Sequence, residues 1–223
     1  MNDSSNPTDN ISIAITPSEF KINLSEGKKY LTQKDNTIKP FGTCNTTSMI
    51  MALIYSGISL PEKKEEEQYE DILTNFLLTD TRVGAYYAKI DPVNYNAWIS
   101  EPNNKKNIPP NEYHAVLAYG TNLWLGETRV KFTTSATMKD IIFNVVNKKS
   151  CVVSGIFSGL RHIVCVVGFV SEQLDLDKIT HVSEVDTKKI KSIIVDDPFG
   201  NYKTFYQDSN GNDIEILYSD YIE

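Results

Sequence analysis

The chain has 223 residues, 40% of them hydrophobic and 23% charged, with 22 Lys+Arg against 29 Asp+Glu and a formal net charge of −7. This describes a globular protein long enough to bury a core without staples, and the acidic balance excludes the basic surface of a nucleic-acid binder. Three widely spaced cysteines exclude a disulfide framework, and without Cys-x-x-Cys or His-Glu-x-x-His spacing neither zinc nor any other cofactor is expected.

Residues 1–10, "MNDSSNPTDN", have no apolar anchor and are expected to be disordered. They lack the basic start and apolar core of a signal peptide, and no segment reaches the apolar length of a membrane span. The chain is expected to be soluble, either cytoplasmic or a mature exported form, with no membrane partner. Residues 11–24 alternate apolar and polar in two pieces broken at Pro17, as in a strand or edge hairpin. Residues 28–43 form a loop, with Pro40 and Gly42 just ahead of Cys44. From Cys44 the stripe Ile50, Leu53, Ile54 predicts a helix that Gly57 closes. A second helix is predicted over 61–78, opened by Pro61, with Tyr69, Ile72, Leu73, Phe76 and Leu77 as its buried face.

Residues 80–112, rich in Tyr, Asn and Pro, suggest short helices and loops, with "NNKKNIPPNE" an exposed loop. Residues 114–125 fit either a helix or a strand. Over 137–148 a third helix is predicted, with Thr137 and Asp140 as a capping box. The period then changes. Residues 151–157, 163–170 and 192–197 are short, β-branched and almost continuously apolar, as central strands buried on both faces are. The segment from Asn201 onward suggests a further hairpin turning at Asn210-Gly211. Helices followed by strands predict an α+β fold with helices packed on an antiparallel sheet, and the whole chain, 1–223, reads as one domain.

Cys44 stands at the joint between a Pro/Gly turn and a helix. There the unpaired N–H groups and the macrodipole favour a thiolate, the form in which cysteine is a nucleophile. Such a nucleophile needs a base. Among three histidines, His181 lies in a charged surface stretch and His114 follows a polar loop, whereas His162 opens a buried strand. Asp197 closes the next one. In an antiparallel pair the start of one strand meets the end of its neighbour, so His162 and Asp197 are placed to meet. Each residue alone has an ordinary structural reading, and "DPFG" is a good turn by itself. It is the coincidence of three element boundaries that points to chemistry. Cys151 and Cys165, inside apolar strands, read as plain core.

"TQKDNTIKPFGTCNTTSMIMAL", "RHIVCVVGF" and "IIVDDPFGNY", in that order, resemble cysteine peptidase family thirty-nine, closest to its stand-alone domains from bacteria and phages. The resemblance runs from about Leu31 to the C-terminal segment. It implies a papain-like fold in which Cys44 is the nucleophile, His162 the base and acid, and Asp197 the orienting residue. It also implies a glutamine, Gln33, that helps form an oxyanion hole with the Cys44 backbone N–H. Cys44 is followed by Asn45-Thr46 where the family often has Gly-Pro, and Gln33 lies far upstream, which leaves Asn36 as its alternative. Asp196 is the alternative to Asp197. The implied activity is a hydrolase that cleaves peptide or isopeptide bonds through a thioacyl intermediate. Its partner would be a peptide, a protein or a peptidoglycan stem peptide. The alternatives are an acyl or peptidyl transferase and a catalytically silent binding module on the same fold.

Overall fold

A computed structural model describes residues 19–102 and 114–221. A short strand, β1 (Glu19–Asn23), leads through a loop to α1 (Cys44–Tyr55), α2 (Tyr69–Thr79), α3 (Thr81–Ile90), α4 (Pro92–Ser100), α5 (His114–Leu125) and α6 (Met138–Val146). Four strands follow, β2 (Cys151–Phe157), β3 (Leu160–Glu172), β4 (Ile190–Asp196) and β5 (Ile214–Leu217), then a single turn, α7 (Tyr218–Tyr221). All strand pairs are antiparallel, so the architecture is α+β.

The 13-residue β3 is the axis of the sheet. Its first half pairs with β2 through the Phe157↔Leu160 hairpin, and its second half pairs with β1, Ile22 opposite Phe169. β4 lies along the other edge, with Cys165 opposite Asp196, and β5 lies beyond β4. β3 is buried from His162 to Ser171 because both faces are covered. On one face Val164, Val166 and Phe169 pack with Ile142 and Val145 of α6. On the other, Cys165, Val167 and Val170 meet Met51, Ala52 and Tyr55 of α1. The opposite side of α1, through Met49, Ile50 and Leu53, joins Leu73, Leu77, Val83, Val116 and Leu117 in a helical layer. α1 is therefore enclosed, buried at every position from Asn45 to Leu53, and is no surface helix with one apolar stripe. Ser48 Oγ donates to the Ile163 carbonyl at 3.1 Å and pins the start of α1 to the start of β3.

The expected α1 and its Gly57 stop are present, Gly57 adopting φ +71°. Residues 114–125 are helical. The Asp140 carboxylate accepts from the Thr137 N–H (2.7 Å) and hydroxyl (2.6 Å), which starts α6 as expected. Two readings need correction. The second helix begins at Tyr69, because "EKKEEEQ" supplies no apolar residue for a core face, and 61–68 stay non-helical. Residues 80–100 hold the short helices expected there, α3 and α4. Asp80 Oδ1 accepts from the Arg82 N–H (2.8 Å) and Asp91 Oδ1 from the Asn94 N–H (3.0 Å), capping α3 and α4 in turn. No separate C-terminal hairpin forms. Phe205 and Tyr206 turn left-handed, at φ +52° and +62°, and β5 pairs with β4 instead. The expectations for residues 1–18 and 103–113 lie outside the described residues. No helix among the described residues is long and apolar enough to cross a membrane.

Candidate active site

Antiparallel pairing of β3 with β4 brings His162 and Asp197 together. Asp197 Oδ1 accepts from His162 Nε2 at 2.6 Å and from the Phe199 N–H at 2.9 Å. His162 is 8% exposed and Asp197 fully buried, so this pair is shielded from water and salt. Several contacts fix Asp197 itself. Its N–H donates to the Gly211 carbonyl at 2.9 Å, and the Tyr30 hydroxyl donates to its carbonyl at 2.6 Å. A Cβ on Gly211 would stand 1.9 Å from that carbonyl oxygen, so the approach requires glycine. Asp196 points the other way. Its carboxylate accepts from the Tyr55 hydroxyl (2.7 Å) and the Asp213 N–H (2.8 Å). Of the two adjacent aspartates, Asp197 is the partner of His162.

Cys44 is the first residue of α1, partly exposed at the tip of an otherwise enclosed helix. Its thiol is near enough to act on the His162 ring electrostatically, but no Cys44–His162 hydrogen bond forms among the described residues. Because Nε2 is committed to Asp197, the nitrogen left for Cys44 is Nδ1. The loop before the helix is tightly braced. Asn36 Nδ2 donates to Thr43 Oγ1 (2.7 Å) and Thr47 Oγ1 (3.0 Å), and Asn45 Oδ1 accepts from the Thr46 N–H (2.8 Å). Thr46 and Thr74 hydroxyls meet at 2.9 Å, tying α1 to α2. The "NTT" that departs from Gly-Pro is thus a buried polar anchor. Gln33 sits beside the site, its N–H donating to the Pro198 carbonyl at 2.8 Å, but its amide Nε2 donates to the Pro40 carbonyl at 2.8 Å. Asn36 commits both of its amide N–H groups to Thr43 and Thr47, whereas Gln33 Nε2 commits one to the Pro40 carbonyl and keeps the other.

Burial works against a charged imidazole at His162. The hydrogen bond to Asp197 and the electrostatic influence of Asp197 and Cys44 outweigh it and lift its pKa from 6.5 to about 9. A raised folded pKa stabilises the fold fully below the unfolded value and loses that stabilisation as pH climbs through the folded one. Stability should therefore fall between pH 6.5 and about 9, by roughly 3 kcal/mol. The other large shifts act outside this window. Asp196 is pushed by burial up to about 6, and the buried phenols of Tyr30 and Tyr55 titrate well above their usual range. The urea midpoint at pH 6 and pH 9 measures the drop, and His162→Gln should flatten it. A midpoint that is level in the wild type over that range would contradict the charged pair.

Aromatic rings wall the imidazole. Phe157, Phe199 and Tyr206 lie edge-on to it, at centroid distances of 6.2, 6.2 and 6.1 Å. Eight buried side-chain polar atoms among the described residues have no hydrogen-bond partner, and five belong to this neighbourhood: Gln33 Oε1, Asn36 Oδ1, Asn45 Nδ2, Asp197 Oδ2 and the Tyr206 hydroxyl. Unmet polar atoms are costly, and five of the eight gather around Cys44 and His162. Two surface hollows, one around Lys21 and Asp213 and one around Lys139 and Asp186, contain none of Cys44, His162 and Asp197. Among the described residues no group of three or more His, Cys, Asp or Glu is gathered to hold a metal.

Cys165 is fully buried and its thiol is pushed well above its usual range by burial, and burial likewise lifts Cys151 to about 11. His181 is exposed, and His114, half-buried at the start of α5, packs against Phe132. Sequence reasoning missed Tyr30, Phe199, Tyr206 and Gly211. The Asn-Gly pair at 210–211 was a visible signal, but as a turn and not as the seat of Asp197. Comparison with protein-family models, with curated proteins and with solved structures finds no match.

Proposed function

We propose that the chain is a cysteine-dependent hydrolase of peptide or isopeptide bonds, with a papain-like fold akin to cysteine peptidase family thirty-nine. The observation that carries this reading is a single imidazole bonded by Nε2 to buried Asp197 and under the electrostatic influence of Cys44, which stands at a helix N-terminus. Cys44 attacks the scissile carbonyl as the thiolate while His162 holds its proton. The C–S bond forms as the carbonyl π pair moves to oxygen. Collapse of the tetrahedral intermediate expels the amine, which takes the proton from Nδ1. Water then attacks the thioacyl group, giving its proton to His162, and the acid leaves with the thiol restored. Asp197 stays ionised throughout and holds the ring in register.

The oxyanion would be held by first-turn N–H groups of α1, that of Cys44 first. Gln33 can add its second amide N–H, since only one is committed to the Pro40 carbonyl. Iodoacetamide tests the reading without a known substrate. At pH 7 Cys44 should be alkylated at least ~10-fold faster than Cys151 or Cys165, with adducts mapped by peptide mass. Equal rates at the three thiols would count against an activated nucleophile.

A further inference from the structure

We propose that Tyr206 is a positioning residue of this site, its hydroxyl donating to Asp197 Oδ2 and fixing the carboxylate that orients His162. The inference rests on the reading of Cys44, His162 and Asp197 as a catalytic set. Asp197 uses Oδ1 twice, for His162 Nε2 and for the Phe199 N–H, while Oδ2 is buried with no partner. A buried carboxylate oxygen without a donor is the costlier half of an unfinished pair. The Tyr206 hydroxyl is the matching half. It too is buried and unpartnered, and the charge of Asp197 acts on it. A hydrogen bond from the phenol to Oδ2 would satisfy both atoms.

The backbone supplies an independent argument. Phe205 and Tyr206 are consecutive non-glycine residues in the left-handed region, at φ +52° and +62°. Such strain persists only where the surroundings demand it, and it clusters at functional sites. Here it turns the Tyr206 ring inward, 6.1 Å and nearly perpendicular (80°) to His162 and 5.1 Å from Phe199, while the Phe205 side chain is left 77% exposed. A segment that strains its backbone to expose a phenylalanine gains nothing from packing Phe205. What it gains is the placement of Tyr206. Without the phenol, Oδ2 keeps its full charge, Asp197 draws the His162 proton more strongly, and the carboxylate plane is free to turn.

Tyr206→Phe keeps the ring and removes only the hydroxyl. The His162 titration, followed by NMR, should move upward by at least half a pH unit. Cys44 alkylation at pH 7 should slow about 5-fold. A Tyr206→Leu variant should add loss of ring packing, seen as a lower urea midpoint, to the same titration shift. Superimposable His162 titrations in wild type and both variants would overturn the proposal. If wild-type Cys44 reacts no faster than Cys151 and Cys165, the catalytic reading fails instead. A fast Cys44 with an unmoved His162 titration refutes Tyr206 alone.

Discussion

Cys44→Ala should leave the fold intact and lower turnover by roughly 10⁴-fold or more. The nucleophile forms the covalent bond on which every later step depends, and nothing else in the site can replace it. Cys165 is sealed in the sheet and Cys151 is partly buried at the start of β2, with burial raising both thiols. The structural cost is small because Cys44 is partly exposed, sits at the helix tip and makes no core contact, so stability should change by less than about 1 kcal/mol. Fluorogenic peptide amides and cross-linked stem peptides, screened with wild type and variant side by side, measure the effect. Turnover retained in a folded Cys44→Ala protein would remove the nucleophile from the account.

The two adjacent aspartates should respond to substitution in opposite directions. Asp197→Ala strips His162 of its carboxylate partner and leaves a buried imidazole and the Phe199 N–H unmet. Breaking a buried charged pair from one side costs about 3 kcal/mol, and turnover should fall with it. Asp196→Asn should instead stabilise the protein at pH 8. Burial raises the Asp196 pKa to about 6, so above that pH the fold carries a carboxylate that it charges at a cost.

An asparagine keeps an acceptor for the Asp213 N–H, and the Tyr55 hydroxyl can turn to the Lys29 carbonyl, 3.3 Å away. The gain should be about 2 kcal/mol at pH 8 and should vanish below about pH 3, where the aspartate is neutral both folded and unfolded. Urea unfolding at the two pH values measures both variants. Equal losses for the two substitutions would mean that the aspartates share one role.

These contrasts show which features the sequence could carry. Boundaries were legible where a local pattern changed sharply: Pro-Gly before Cys44, the apolar run after His162, the Asp-Pro after "SIIV". Each reflects local propensity and burial, and the antiparallel pairing of β3 with β4 turned two boundaries into one contact. The caps of α3 and α4 were written as Asp80 and as Asp91-Pro92 but were masked by the Tyr- and Asn-rich composition around them.

Tyr206 was hidden for a different reason. Its place depends on two left-handed residues that no glycine announces. The bracing of the Cys44 loop by Asn36, Thr43 and Thr47 was equally hidden, because buried polar residues in a helix look like surface residues in a sequence. The role of Gly211 follows from a carbonyl that only the folded chain brings near.

The central claim is that His162 activates Cys44. The most direct measurement is the rate of Cys44 alkylation by iodoacetamide at pH 7 in the wild type and in His162→Ala, with urea midpoints confirming that both are folded. The account predicts at least a 10-fold slower reaction in the variant, because the thiol has lost the group that takes its proton. An unchanged rate at Cys44 in a folded His162→Ala protein would contradict it.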